Sequence, residues 1–198
     1  SVEGTRWSVE QSLRSLQTDY LDAVLIHDPI QIEDAIAPNR ALDELVRMKE
    51  AGLIGSIGLG VRPHDFHRSA IETGQIDIIL TFLDYTLLDQ SVAETTLPLA
   101  RQHDIGIILA SVFGMGLLTG LEPDLESDRR RHPDREPIAH RLWQWCQTEG
   151  INIRHLAMQF CLQAPIDGIV MFGPSSIQHV EEAVQAAKAD VPLHIWQE

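Results

Sequence analysis

Lysine is nearly missing from this chain. Lys49 and Lys188 are its only two lysines, so thirteen of the 15 basic residues are arginine, and they face 29 aspartates and glutamates. A formal charge of −14 and a pI of about 4.9 argue against nucleic acid and anionic membrane surfaces, both of which are held by clustered Lys and Arg. Cysteine is as scarce. Cys146 and Cys161 fall inside apolar helical patterns with no partner motif, which leaves no disulfide framework and reads as two buried, reduced thiols of a cytoplasmic protein. Long hydrophobic runs are missing too. The longest uncharged stretch, 106–121, carries four glycines and is shorter than the ~20 residues a membrane helix needs. The opening SVEGTRWSVEQ has no signal-peptide pattern, so a soluble protein is expected.

What is present is enough apolar material for one sizeable core, 44% of 198 residues. A single domain over residues 1–198 is expected. Apolar runs at 23–27, 54–59, 76–82, 106–111 and 168–172 read as strands. Amphipathic patterns near 39–51, 64–72, 91–103, 138–149, 153–163 and 176–188 read as helices, with Pro98 kinking the third of these. Strand–helix alternation predicts a parallel sheet, and almost wholly apolar strands predict cover on both faces. A further amphipathic helix comes first, with Val9, Leu13 and Leu16 on one face, Ser8 as N-cap and Gln11 three residues on. No strand precedes it, so the expectation is a chain that starts in mid-fold.

Polar residues and glycines gather at the strand C-termini, where α/β folds bind ligands. LDAVLIHD (21–28) is an apolar run that ends in His27 and Asp28. It reads either as a strand presenting an active-site histidine or as one holding a satisfied core histidine. Gly58-Leu-Gly60-Val-Arg-Pro63 matches half of a dinucleotide fingerprint, but Pro63 replaces the third glycine and a plain tight turn reads better. In ASVFGMGLLTG (110–120), Ser111 and the amides around two glycines suit a pyrophosphate, the alternative being an irregular apolar connection. In FGPSSIQHVEEAV (172–184), Ser175 and Gln178 form a capping-box start whose amides suit a phosphate, or simply a well-capped helix. DRRRHPDRE (128–136) reads as a solvated excursion, or as a flap whose arginines meet phosphate. His64 and His67 lack a third ligand at sensible spacing, so no metal is expected.

In order and spacing, SVEQSLRSLQTDYLDAVLIHD, ALDELVRMKEAGLIGSIGLG, IDIILTFLDYTLLD, ASVFGMGLLTG and GPSSIQHVEEAV resemble the aldo-keto reductase superfamily, in its aldose dehydrogenase branch with the L-galactose and L-fucose dehydrogenases. The resemblance implies a (β/α)8 TIM barrel of the NADP-dependent oxidoreductase type, here incomplete at about five of eight strand–helix units. It implies NAD or NADP as cofactor and an aldehyde, ketone or sugar as substrate, with an aldose oxidised at C1 to a lactone. It makes His27 the catalytic residue that orients the substrate oxygen. It puts Thr81 at the nicotinamide amide and Ser111, Phe113 and Met115 along the pyrophosphate. Gly173, Ser175, Ser176, His179 and Glu182 fall towards the adenosine end. The family's aspartate, tyrosine and lysine have no counterpart by position; Tyr20, Tyr85, Lys49 and Lys188 do not stand in for them. The chain by itself is therefore expected to be inactive. A non-catalytic, nucleotide-binding relative is the alternative, and a Rossmann-type domain a third reading. The helix start at 174–183 has no Arg or Lys and carries Glu181 and Glu182, which favours NAD over NADP. The oligomeric state is left open.

Overall fold

The computed structural model describes residues 1–123 and 126–197, with the side chains of Ser127, Arg129 and Gln197 outside it. Helix α1 (Val2–Leu16) begins earlier than the periodicity suggested. Ser1, not Ser8, is its N-cap and accepts the Gly4 N–H at 3.2 Å. Glu3 in the first turn favours that early start through the helix dipole. Ser8 is left inside the helix, where its carbonyl accepts the Ser12 hydroxyl. After α1 come β1 (Leu21–His27), α2 (Glu33–Ile36), α3 (Ala41–Glu50), β2 (Ile54–Gly60), α4 (His64–Glu72) and β3 (Ile78–Phe82). Then follow α5 (Thr96–Gln102), β4 (Gly106–Ala110), α6 (Ser127–Arg131), α7 (Glu136–Glu149), α8 (Ile153–Leu162), β5 (Gly168–Met171) and α9 (Ile177–Ala187). The single helix expected at 91–103 is a 3-10 turn, Ser91–Glu94, followed by α5. Pro98 lies in the first turn of α5, where a missing N–H leaves no helical bond unmade, so it makes no kink.

The strands form one parallel sheet in the order β1-β2-β3-β4-β5, with Leu21 opposite Ile54 and His27 opposite Gly60. A doubly wound dinucleotide fold reverses strand order at its binding crevice. This order never reverses, which overturns the Rossmann reading. Gly58 and Gly60 are likewise not a turn but part of β2. A Cβ on Gly58 would lie 2.7 Å from Leu25 Cγ and 3.1 Å from the Ile78 carbonyl oxygen, so the glycine serves close strand packing. Cover on both faces holds for β2 and fails at the ends of the order: most of β5 is exposed, and so are Asp22, Ala23 and His27 of β1. No helix among the described residues is long and apolar enough to cross a membrane.

The chain packs as two compact units. The first comprises Ser1–Thr81, Val92–Ile108 and Ile166–Ile169. Its core takes Leu42, Leu45 and Met48 from α3, Ile54, Ile57 and Leu59 from β2, and Ala70 and Ile71 from α4. Buried polar groups are paired here. Glu44, fully buried, accepts Arg6 Nε at 2.7 Å and Arg47 Nη1 at 3.1 Å, which ties α1 to α3. His67 is also fully buried; its Nε2 donates to the Val61 carbonyl at 2.8 Å, so its Nδ1 accepts from the Thr96 hydroxyl at 2.8 Å. Asp77 receives Lys49 Nζ at 2.6 and 2.7 Å and the Ile57 amide at 2.7 Å.

The second unit comprises Phe82–Ser91, Leu109–Pro165 and Val170–Glu198. It is built around two apolar clusters. Leu118, Cys146, Ile153, Leu156 and Val191 form one, and Val112, Met158, Cys161, Ala183 and Ala186 the other. Both thiols are buried and free.

Replacing Asp77 with Ala should lower the unfolding free energy by ~1–3 kcal/mol, because the amide of buried Ile57 loses its acceptor. Lys49→Ala should cost less than ~1 kcal/mol, the usual limit for a partly exposed ion pair. Urea denaturation of the two variants measures this; equal losses would assign the effect to the ion pair alone. Burial pushes the Cys146 thiol up to about 11 and the Cys161 thiol up to about 12, from an ordinary value of 9.0. The folded chain therefore holds protons that the unfolded chain releases. Stability from this source is intact below the ordinary thiol range and is lost as pH rises towards 12. Urea midpoints at rising pH should fall less steeply for a Cys146→Ala/Cys161→Ala double variant, and parallel slopes would assign the alkaline loss to other groups.

Candidate functional site

Strand β1 ends on His27. The side chain is 85% exposed, with Nδ1 3.6 Å from Asp28 Oδ2, so the reading as a satisfied core histidine is overturned. Asp28 turns the chain off the strand at φ 40°. Thr81 lies on β3 and is fully buried. Both residues belong to the first unit.

The other candidates belong to the second unit, where a cavity of about 420 Å³ opens between the loop after β4 and the start of α9. The loop supplies Ser111, Phe113, Met115 and Gly116 to its lining, and the segment into α9 supplies Phe172, Gly173, Ser175, His179 and Glu182. The loop takes its shape from a series of left-handed residues: Ser111 (φ 62°), Gly114 (φ 59°), Met115 (φ 59°) and Gly116 (φ 103°). The Ser111 carbonyl accepts the Gly114 amide at 2.8 Å, and the Phe113 carbonyl accepts the amides of Gly116 and Leu118, each at 3.1 Å. Gly114 meets two demands, since a Cβ at its positive φ would also lie 3.1 Å from Leu88 Cδ1. Non-glycine residues in this region cost ~1–3 kcal/mol each, and such strain gathers at ligand sites. Phe113 meets Phe172 edge to face, with ring centroids 6.3 Å apart.

At the start of α9 the capping residue is Ser176, one position later than the capping-box pattern placed it. Its hydroxyl accepts the His179 amide at 3.1 Å. Ser175 instead serves the histidine ring: its amide donates to His179 Nδ1 at 3.4 Å, and its hydroxyl lies 3.1 Å from the same nitrogen. With Nδ1 accepting from the Ser175 amide, Nε2 carries a ring proton and can donate. Ser176 itself is not part of the lining.

Arg154 is the lining residue that sequence reasoning missed. It comes from the first turn of α8, donates to the Thr119 carbonyl, and pairs with Glu182 through Nη1 and Oε2 at 2.9 Å. The other carboxylate oxygen of Glu182 receives the Gln178 amide at 2.9 Å. Gln178 and Arg154 together hold this carboxyl below the usual carboxylate range. A signal was available. A cation in the first turn of a helix opposes the dipole, so something other than helix propensity holds Arg154 there.

Other expectations divide. The segment 128–136 is not merely solvated: Ser127–Arg131 forms α6, and Arg135 donates to the Leu83 carbonyl at 3.2 Å and to Asp89 at 3.5 Å. Among the arginines proposed to meet phosphate, Arg130 pairs with Glu126 at the surface, and the side chain of Arg129 lies outside the described residues. Tyr85 is unsuited to replace a catalytic tyrosine. It stacks on Phe160, and burial, with Cys161 nearby, raises its hydroxyl above the ordinary value. Lys49 is engaged by Asp77.

Known proteins agree with this architecture. A model described as "Aldo/keto reductase family" matches residues 1–195. A D-threo-aldose 1-dehydrogenase of a Pseudomonas species is 29% identical over 99% of this chain and 60% of its own length. The L-galactose dehydrogenase of Arabidopsis thaliana is 31% identical over 94% of this chain and 58% of its own. Among solved structures, an aldo-keto reductase of Bacillus halodurans in its holo form superposes with a TM-score of 0.81 at 27% identity, over 98% of this chain and 65% of that one. The chain thus spans somewhat under two thirds of the length of these relatives, and its parallel strands are part of the α/β barrel that the family shares. By the extent of that match and by its fold, the chain belongs to the aldo/keto reductase family.

Proposed function

We propose that this chain carries the dinucleotide-holding portion and the substrate-orienting histidine of an NAD-dependent enzyme that oxidises an aldose at C1 to a lactone. The observation that carries this reading is the cavity of the second unit, lined by Ser111, Phe113, Met115, Gly173, Ser175, His179 and Glu182. Its chemistry suits a dinucleotide. The loop from Ser111 to Gly116 lets backbone approach a pyrophosphate closely, Phe113 and Phe172 offer apolar faces, and Ser175 with the Nε2–H of His179 offers donors to ribose hydroxyls. When bound, the nicotinamide group accepts the hydride from the sugar.

In this reading His27 touches the substrate oxygen and fixes its position, and Thr81 lies at the carboxamide. The family's aspartate, tyrosine and lysine have no counterpart among the 198 residues. Turnover is therefore assigned to a protein that supplies them, not to this chain alone. The two unpaired thiols support a reducing, cytoplasmic setting. The aldose is supported by the aldose dehydrogenases among the relatives, which act on sugars by name. NAD is favoured because the segment 174–183 offers no Arg or Lys to a second phosphate.

In a protein complete in its catalytic residues, NADH should bind at least about tenfold more tightly than NADPH. Fluorescence titration of both decides this, and a tenfold preference for NADPH would sink it. His27→Ala should lower kcat about 10²-fold through lost orientation and leave the NADH dissociation constant nearly unchanged. Loss of NADH binding with normal turnover at saturating cofactor would put His27 in the wrong role.

A further inference from the structure

Strand β1 does not simply end on His27, because the next residue turns back towards it. Successive side chains along a strand point to opposite faces of the sheet, so a histidine and the residue after it diverge in regular geometry. Asp28 leaves that geometry at φ 40°, in a region that aspartate enters more readily than most residues. Its amide still donates to the Gly60 carbonyl at 2.9 Å, which ties the turn to β2. Pro29 follows, with φ fixed by its ring. The outcome is a carboxylate beside the imidazole, its Oδ2 3.6 Å from Nδ1. Both side chains are exposed, so the ring is open to a substrate.

We infer that Asp28 holds the Nδ1 proton of His27 and so presents Nε2 as a hydrogen-bond acceptor to a substrate hydroxyl. The inference rests on the substrate-orienting role given to His27 above and deepens it. An ionised carboxylate only accepts hydrogen bonds, so the ring nitrogen that faces it is the one that carries the proton. In the neutral imidazole the other nitrogen then has only its lone pair to offer. A separation of 3.6 Å is a charge contact, which a small rotation of either side chain closes to a hydrogen bond. Bonds of this kind are long in unliganded sites and tighten around substrate. The C1 hydroxyl of an aldose can donate to Nε2, whereas a carbonyl oxygen, itself an acceptor, cannot. The pair therefore fits the site to the hydroxyl form of the substrate and to oxidation; the reverse tautomer would favour the carbonyl. His27 touches the substrate; Asp28 acts through it and is a positioning residue.

Two measurements test this. In the 198-residue chain, long-range proton–nitrogen correlation spectra above the titration range of imidazole report which nitrogen of His27 holds the proton. The signals are assigned by their loss in His27→Gln. Nδ1 should be the protonated nitrogen in most molecules, and Asp28→Asn and Asp28→Ala should each move the proton towards Nε2. Asparagine enters the left-handed region as readily as aspartate, so the first variant removes the charge with the turn intact. A tautomer ratio unchanged in both variants overturns the inference, as does a wild-type ring protonated mainly on Nε2. In a protein complete in its catalytic residues, with L-galactose as probe, Asp28→Asn should lower kcat for oxidation by about tenfold, the worth of one charge-assisted hydrogen bond. KM and the NAD dissociation constant should change little. In a His27→Gln background the same substitution should have no further effect; an equal loss there makes the effect structural and overturns the inference. Failure of the wild type to oxidise L-galactose or any other aldose overturns the substrate reading and this inference together. Oxidation that is insensitive to Asp28 overturns this inference alone.

Discussion

Neighbouring parallel strands cannot be joined by a tight turn; each needs a crossover of a dozen or more residues. That requirement organises this chain. Helices α2 and α3 carry it from β1 to β2, α4 from β2 to β3, α5 from β3 to β4, and α6 to α8 from β4 to β5. Each crossover must first leave the sheet. At three of the four exits the first residue beyond the strand is left-handed and is not glycine: Asp28 after β1, Leu83 after β3 and Ser111 after β4. The backbone is least relaxed where the chain changes direction. Two of those exits carry residues of interest, His27 before Asp28 and the start of the cavity loop at Ser111. A left-handed residue re-aims the chain within one step, and strain of this kind is kept where surrounding structure holds it in place.

The two units reach stability by different means. The first pairs its polar side chains: buried Glu44 with two arginines, buried His67 with a hydroxyl and a carbonyl, and part-exposed Asp77 with an ammonium and an amide. Removing one member of such a set leaves the other unsatisfied, which costs more than the set contributes. The second unit relies on apolar clusters in which Cys146 and Cys161 behave as small hydrophobes. The Arg154–Glu182 pair lies at the cavity of that unit, beside the polar side chains of Thr119, Ser175 and His179.

Strands were legible in the sequence because apolar runs bounded by turn residues have few other uses. Helix 64–72 was legible to the residue. Boundaries set by capping were not. Ser8 and Ser175 have the right chemistry for a cap, yet Ser1 and Ser176 do the capping, because neighbouring residues continue the helix in one case and delay it in the other. Gly58 misled in another way. Glycine serves turns and close packing alike, and only Leu25 and Ile78, brought alongside by strand pairing, separate the two. The contiguous stretches 111–116 and 173–182, which carry much of the cavity lining, stand out in the sequence because each has its own turn or cap chemistry. Arg154 could not be read from a window around α9. It is coupled to Thr119 and Glu182, both distant in sequence, and a local scan weighs only charges that lie side by side in the chain.

Counting basic residues in the window around α9 therefore describes the cavity incompletely. The segment 174–183 has no Arg or Lys. The fold then brings Arg154 into the lining. The Arg154 guanidinium is not an isolated charge, since each of its two outer nitrogens already meets an oxygen of the protein. A charge held by a carboxylate contributes shape and rigidity to the cavity but little attraction for a second anion. The acidic side chain that read, in sequence, as a charge opposed to phosphate is engaged in the structure by Gln178 and Arg154. Glu182 holds Arg154 from the same helix whose N-terminus forms the other wall of the cavity.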